Sequence, residues 1–145
     1  MPVGKSPAIV ADYLKPYVEG KTYCEFGCGA GIVLRQVQEF AKKAIGVEIN
    51  DYSKQHEGMT IIKADIFDID IPEAEVYYCW ITHNINRRIY NRIQKGLFII
   101  GAEEFVEEET ALLEELKPEK LIKFEFNEGD SHRQSGTFYL GLFYK

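Results

Sequence analysis

The sequence has 145 residues, 46% of them hydrophobic and 28% charged, which suffices for one domain with a buried core. Its net charge of −6 lacks the basic excess typical of non-specific nucleic-acid binding. No apolar run approaches the roughly 18 residues of a membrane span, and the start of the chain shows no secretory signal. Three cysteines are a poor disulfide framework, which favours the cytoplasm. We expect a single domain over residues 1–145 and no membrane partner.

Strands and helices are predicted to alternate along most of the chain. In chain order they are a helix at 9–17, a strand at 21–26, a helix at 33–41, strands at 43–49, 60–66 and 75–82, a helix at 84–93, a strand at 95–103, a helix at 106–116, and strands at 122–126 and 136–145. Ser6 and Pro7 predict the start of the first helix, and Pro16 is expected to bend or end it. Residues 50–59 leave room for only a short helix. The last two strands have no helix between them, which predicts an antiparallel hairpin. The fold class is therefore α/β, with a doubly wound, mostly parallel sheet of about seven strands ending in that hairpin.

The glycine-rich run that follows the first strand, "YCEFGCGAGIVL", raises the question of a metal site. Cys24 and Cys28 have the spacing that begins an iron–sulfur motif, but the third ligand would fall on Gly31. No second Cys/His pair stands at the spacing of a zinc site. We expect Cys24 to be a buried strand residue, Cys28 a small loop residue, and no metal.

The glycines themselves indicate a ligand-binding turn. Gly27, Gly29 and Gly31 stand between a predicted strand and a predicted helix, where glycine lets a ligand approach bare backbone. A dinucleotide-binding fingerprint would require glycine or alanine at Ile32, and the chain has no phosphate loop in strand context.

Glu25-x-Gly27-x-Gly29-x-Gly31 resembles the first motif of class I S-adenosylmethionine-dependent methyltransferases. The resemblance extends over nearly the whole chain, including the terminal hairpin. It implies S-adenosyl-L-methionine as cofactor, with Glu25 engaging its methionine end and the glycines and Cys28 lining its approach.

Two further acidic residues stand where this family binds the nucleoside. Glu48, followed by Ile49, ends the next strand, where the resemblance implies an acid that accepts hydrogen bonds from both ribose hydroxyls. Asp65 stands where a third acid takes the adenine amino group, with Ile66 as the matching backbone donor.

The methyl acceptor is expected beyond the fourth strand, because reacting groups in open α/β sheets lie outside the carboxyl ends of the strands. The candidate residues there are Trp80, Thr82, His83 and Asn84. "CWITHN" lacks the Asn/Asp-Pro-Pro-aromatic signature of enzymes that methylate amide or adenine nitrogens. "VYYCWITHNIN" is instead similar to the fourth-strand region of compact archaeal protein lysine methyltransferases, although His83 splits the turn.

A lysine acceptor has a physical rationale. Its amine must lose a proton before attack, and a partly desolvated aromatic slot favours the neutral form. Trp80, with Phe67 as a second candidate, would form such a wall, or Trp80 belongs to the ordinary core. His83 would assist proton removal, or it is a plain surface loop residue.

Other acceptors and roles stay open at this point. An RNA methyltransferase would use a basic patch of Arg87, Arg88, Arg92 and Lys95, and a small-molecule methyltransferase is a further alternative. A third is an inactive cofactor-binding subunit of a larger assembly, because so short a chain leaves few residues for substrate recognition. Acceptor choice would then depend on the amino-terminal segment, a partner chain or oligomer, or the loop 127–136 with His132 and Arg133, or the specificity would be loose.

Overall fold

The computed structural model describes residues 6–127 and 135–145, which contain four α-helices and seven strands. The helices are α1 (Val10–Val18), α2 (Ile32–Val37), α3 (His83–Arg92) and α4 (Glu107–Leu116). The strands are β1 (Thr22–Phe26), β2 (Lys43–Glu48), β3 (Thr60–Lys63), β4 (Val76–Cys79), β5 (Leu97–Glu103), β6 (Lys120–Asn127) and β7 (Ser135–Tyr144). A short 3₁₀ helix spans Ile66–Asp68. His132 and Arg133 lie outside the described residues.

The seven strands form one sheet in the order β3-β2-β1-β4-β5-β7-β6. The first five strands are parallel, and β7 pairs antiparallel with both β5 and β6. The predicted fold class is therefore confirmed. The chain reverses its direction of strand addition between β1 and β4, which is the topological switch point where open α/β sheets bind ligands.

Both faces of the sheet are covered, because alternate strand residues enter two different hydrophobic clusters. In β1, Tyr23 belongs to the cluster beneath α1 and α2, whereas Cys24 belongs to the cluster on the opposite face. In β6, Phe124 and Phe126 are buried while Lys123 and Glu125 are exposed, as the sequence alternation predicted. The three cysteines are free and buried.

The predicted start of the first helix at Ser6 was wrong, and Pro16 does not end that helix. Ser6 does not cap α1, which begins at Val10; its hydroxyl instead contacts Tyr78 Oη at 2.7 Å. Pro16 lies inside α1 without ending it. It stands in the last turn, where its missing N–H removes only a single hydrogen bond.

The second helix is shorter than expected, and the segment after β2 contains no helix. α2 ends at Val37 and does not reach Ala41, which instead bridges Glu19 in an antiparallel contact. Residues 50–59 form turns instead of a short helix.

The two edge strands of the sheet are β3 and β6. Lys63 is exposed at the end of β3, and Lys120, Lys123 and Glu125 are exposed along β6. No helix among the described residues is long and apolar enough to cross a membrane.

Candidate functional site

The glycine run forms a tight bend between β1 and α2. Its backbone is anchored to the neighbouring strand by Gly27 N, which donates to Val47 O at 2.8 Å. Gly29 and Gly31 have φ angles of 56° and 85°, a region that residues with a side chain rarely adopt. The sequence prediction of a bend that requires glycine is confirmed.

The surroundings of the three loop glycines differ. A Cβ built on Gly27 would lie 2.7 Å from Ile81 Cδ1, and one on Gly31 would lie 2.5 Å from Met59 Cε. By contrast, no heavy atom of the described chain lies within 4 Å of a Cβ built on Gly29. One face of the loop is therefore bare backbone open to a ligand.

Cys28 contributes its backbone but not its side chain to this open face. The side chain is only 7% exposed, and its sulfur packs onto β2 so closely that a Cβ on Gly46 would lie 2.7 Å from it. Burial raises the pKa of the Cys28 thiol, which keeps it protonated.

The carboxylate of Glu48 joins the end of β2 to the glycine loop. Its Oε1 accepts from Gly29 N at 2.6 Å, and its Oε2 accepts from Asn50 N at 3.0 Å. Each carboxylate oxygen retains a further acceptor lone pair. Glu48 is buried, while Ile49 beside it is 59% exposed.

Asp65 caps the short 3₁₀ helix that follows β3, because its Oδ1 accepts from Phe67 N at 2.9 Å. Ile66, the first residue of that helix, is buried, and its N–H has no intrahelical acceptor by geometry. Arg92 of α3 holds the segment from the other side by donating to Ile66 O at 2.6 Å and Ile69 O at 2.8 Å.

Glu25 lies in β1, on the face of the sheet that also carries Tyr23. It is 4% exposed and accepts from Tyr23 Oη at 2.6 Å. Burial raises the pKa of the Glu25 carboxyl to about 8, although the hydrogen bond from Tyr23 opposes that rise. Its register partner in β4 is Tyr78, whose hydroxyl contacts Ser6.

Glu25 therefore lies near the carboxyl end of β1, Glu48 ends β2, and Asp65 follows β3. Parallel strands bring these positions to one edge of the sheet, with the glycine loop between the first two. The arrangement offers acceptors for hydroxyl, amino and ammonium groups along one edge.

The residues predicted beyond β4 lie in different surroundings. Trp80 is half-buried, and its indole Nε1 donates to Glu109 Oε1 at 2.6 Å. Thr82 caps α3 by accepting from Ile85 N at 3.3 Å. His83 is the first residue of α3 and not a loop residue as expected, because the Thr82 cap starts the helix there. Asn84 is exposed.

The basic residues of the alternative RNA patch largely have partners within the chain. Arg87 forms a bidentate ion pair with Glu115 of α4. The Arg88 guanidinium lies 3.7 Å from the centroid of the Phe67 ring, and Arg92 donates to backbone carbonyls. Phe67, the second candidate for the aromatic wall, therefore packs against the Arg88 side chain.

The sequence analysis missed Asn86 and His56. Asn86 is fully buried, and its Oδ1 accepts from Ile81 N at 3.0 Å, which fixes the chain just past β4. Its Nδ2 has no hydrogen-bond partner within the described residues. His56 Nε2 lies 2.7 Å from Gly29 O, so the turn segment after β2 packs against the glycine loop. Spacing on the predicted helix points to Asn86, four residues after Thr82, but no sequence signal identifies His56.

It also missed two acids at the end of β5 and the start of α4. Glu103 is 2% exposed and Glu109 is 7% exposed. The backbone N–H of Glu103 donates to Glu109 Oε1 at 2.9 Å, the oxygen that also accepts from Trp80. In the sequence these acids are indistinguishable from the exposed ones of the acidic run 102–116.

No protein-family model matches the chain. A protein-lysine N-methyltransferase of Saccharolobus islandicus (strain REY15A) is 34% identical over an alignment of 86 residues, with a coverage of 50% of this chain and 53% of the relative. The chain thus matches about half the length of this curated relative.

Several solved structures share the fold. A putative RNA methyltransferase from Pyrococcus horikoshii superposes with a TM-score of 0.73 and 13% identity, covering 95% of this chain and 82% of the other. An RNA methyltransferase from Salinibacter ruber, in complex with S-adenosyl-L-homocysteine, superposes with a TM-score of 0.63 and 16% identity, covering 98% of this chain and 95% of the other. A precorrin-6y C5,15-methyltransferase from Geobacter metallireducens GS-15 superposes with a TM-score of 0.63 and 12% identity, covering 99% of this chain and 94% of the other. The seven-strand sheet of this chain, with its antiparallel end pair, is the class I methyltransferase fold that the sequence resemblance predicted.

Proposed function

We propose that this protein is an S-adenosyl-L-methionine-dependent methyltransferase that transfers the methyl group to the side-chain amine of a protein lysine. The observation that carries the proposal is the carboxylate of Glu48 bonded to Gly29 N beside the bare face of the glycine loop, with Glu25 in β1 and Asp65 just after β3 on the neighbouring strands. The 34% identity to a protein-lysine N-methyltransferase supports the acceptor class.

The residues present fit this cofactor. The open space over Gly29 admits a ligand against the backbone, which a side chain at that position would fill. Glu48 has acceptor capacity for a vicinal diol beyond its two backbone bonds. Asp65 and the Ile66 N–H offer an acceptor and a donor side by side, the pair that the amino edge of adenine requires.

Glu25 suits the amino-acid end of the cofactor. An ammonium group placed beside it would stabilise the ionised carboxylate, which burial alone disfavours. Ile49 and Cys28 belong to the same proposed site, the first as an exposed apolar contact beside Glu48 and the second through its backbone.

The bound cofactor supplies an activated methyl group, so the protein needs mainly to align the acceptor and to exclude water. We assign alignment to the carboxyl end of β4. Trp80 forms an apolar wall there for the lysine stem, and a partly desolvated wall favours the neutral amine that attacks. Thr82 caps α3, and we assign His83 and Asn84, the first two residues of that helix, to the rim of the acceptor site.

RNA is a less favourable acceptor on this structure. Of the four basic residues that would form its patch, Arg87 is ion-paired and Arg88 and Arg92 are engaged with residues 66–69. The RNA methyltransferases that share the fold do so at 13% and 16% identity and support the fold alone.

The proposal also covers the cellular compartment and the domain and subunit organisation of the protein. Residues 1–145 act as one methyltransferase domain, and the three free, buried cysteines suit a reducing compartment such as the cytoplasm. A second copy or a partner chain would complete acceptor selection.

The test combines binding with transfer. Calorimetry with S-adenosyl-L-methionine should show binding, and cofactor carrying a labelled methyl group should label protein in a cell extract. Protease should remove the label, nuclease should not, and acid hydrolysis should release methyl-lysine. Nuclease-sensitive label would assign RNA as acceptor, and binding without any transfer would identify an inactive subunit; either result overturns the lysine proposal.

A further inference from the structure

The indole of Trp80 is fixed in orientation by two contacts from different elements. Its Nε1 donates to Glu109 Oε1 at 2.6 Å, and its ring packs edge-on against Phe138 of β7 with centroids 5.2 Å apart and an interplanar angle of 84°. The first contact fixes the polar edge of the indole, and the second fixes the plane of the ring. A half-buried aromatic ring at a strand end would otherwise sample several rotamers.

Glu109 is an unexpected residue for the position that it occupies. It lies in the first full turn of α4, is 7% exposed, and is close enough to buried Glu103 for repulsion between the two carboxylates. Burying a carboxylate is unfavourable unless hydrogen bonds compensate, and an apolar residue would pack there at lower cost. The carboxylate is compensated by the two donors that converge on Oε1, Trp80 Nε1 and Glu103 N.

These two donors link three elements of the acceptor side. Trp80 follows β4, Glu103 ends β5, and Glu109 belongs to α4. The hydrogen bonds therefore set the distance between the chain beyond β4 and the start of α4. Burial raises the pKa of the Glu109 carboxyl, and the hydrogen bonds from Glu103 N and Trp80 Nε1 oppose that rise.

We propose that Glu109 is a positioning residue that holds the indole of Trp80 as the wall of the lysine acceptor site. The inference rests on the proposed function and adds to it a residue that sequence motifs do not identify. It assigns Glu109 to acceptor alignment through Trp80, with no contact to the cofactor or to the transferred methyl group.

The chain offers a direct readout, because Trp80 is its single tryptophan. When it is excited at the long-wavelength edge of tryptophan absorption, where the nine tyrosines scarcely absorb, the protein's fluorescence therefore reports on this indole alone. Glu109→Ala removes the acceptor of the Nε1–H, whereas Glu109→Gln keeps a side-chain oxygen that accepts from both donors. Glu108→Ala is the matched control, because Glu108 is an exposed acid in the same turn of α4.

The experiment measures Trp80 emission, quenching by acrylamide, and the kinetics of methyl transfer to poly-L-lysine. In Glu109→Ala we expect emission at longer wavelength, stronger quenching, and a KM for poly-L-lysine that is raised roughly tenfold, the size expected for losing a hydrogen bond to a charged group. Affinity for S-adenosyl-L-methionine should stay unchanged. Glu109→Gln and Glu108→Ala should behave like the natural sequence.

Two results would overturn the inference while leaving the proposed function standing. One is unchanged emission and KM in Glu109→Ala. The other is a Glu109→Gln variant as impaired as Glu109→Ala, which would show that the charge of Glu109 is needed and not its geometry. If the natural sequence binds the cofactor but methylates neither poly-L-lysine nor protein in an extract, the proposed function fails and the inference falls with it.

Discussion

The carboxylate of Glu48 and the backbone nitrogen of Gly29 are joined by a 2.6 Å hydrogen bond between Oε1 and N. This bond ties the end of β2 to the glycine loop that precedes α2. The acid proposed to bind the ribose thus also holds the loop on which the cofactor would lie. Positions 19 residues apart in sequence form one unit of the site.

Replacing Glu48 with alanine should therefore weaken cofactor binding through two losses, the ribose acceptor and the loop anchor. We expect affinity for S-adenosyl-L-methionine to fall at least tenfold, because hydrogen bonds to a charged group are worth about 1.5–3 kcal/mol. Calorimetry measures the change. Glu57→Ala removes an exposed acid from the adjoining turn and should leave affinity unchanged; equal affinities of both variants would contradict the assignment of Glu48.

A pair of glycine variants separates backbone strain from ligand exclusion. Gly20 and Gly29 have φ angles of 73° and 56°, and a Cβ on either would meet no heavy atom within 4 Å. Alanine at either position should cost about 1–2 kcal/mol of unfolding free energy, because both require the left-handed region. Gly29→Ala alone should abolish cofactor binding, since its methyl group projects into the proposed cofactor space. Denaturant unfolding and calorimetry on the two variants decide the matter; loss of binding in both, or in neither, would refute this placement of the cofactor.

The buried carboxyl of Glu25 should make stability fall as pH rises. Its pKa is raised by burial to about 8 in the folded chain, against 4.5 for an exposed carboxyl. Between these values the unfolded chain has lost this proton and the folded chain retains it, so deprotonation favours unfolding. The resulting loss of stability should accumulate from about pH 4.5 to about pH 8 and then level off. Glu25→Gln, which still accepts from Tyr23, should lack this contribution when urea unfolding is followed across that range.

The same group should release a proton when the cofactor binds. An ammonium group placed beside Glu25 lowers the pKa of the carboxyl, so binding near pH 7 drives its ionisation. Calorimetric titrations of S-adenosyl-L-methionine in buffers of different ionisation enthalpy measure the protons released. We expect close to one proton for the natural sequence and fewer for Glu25→Gln; equal release from both would remove Glu25 from the methionine end of the site.

Asn86 should be important for stability, because it fixes the chain where β4 meets α3. Asn86→Ala leaves the part-buried Ile81 N–H without its acceptor, and we expect a loss of about 1–3 kcal/mol in the free energy of unfolding. Asn91→Ala changes an exposed asparagine on the same helix and should alter stability by less than about 0.5 kcal/mol. Thermal or denaturant unfolding compares the two, and a neutral Asn86→Ala would show that another group satisfies Ile81.

The elements that position the site were predictable from sequence because their signals are local. The glycine bend, the buried run of β2 and the alternation of Phe124 and Phe126 with charged residues each reflect one periodicity or one backbone requirement. The terminal hairpin followed from two strands without an intervening helix. Together these patterns were sufficient for the fold class.

The parts that sequence missed depend on contacts between distant segments. His56 and Glu109 stand in polar stretches typical of exposed turns and helix faces, and only the packing of the chain brings them to Gly29 and Trp80. Ser6 was misassigned because a serine before proline has the local signature of a helix cap, whereas Tyr78 competes for its hydroxyl. Local helix and capping propensities contain no information on a hydrogen-bond partner 72 residues away.

The two edge strands affect how the protein behaves at high concentration. An unpaired strand edge is a template for adding strands from another molecule, which leads to aggregation. Here β3 is only four residues long, and β6 directs Lys120, Lys123 and Glu125 to the outside. Charged side chains along such an edge must be desolvated before another strand can join, so the sheet resists growing from one molecule into the next.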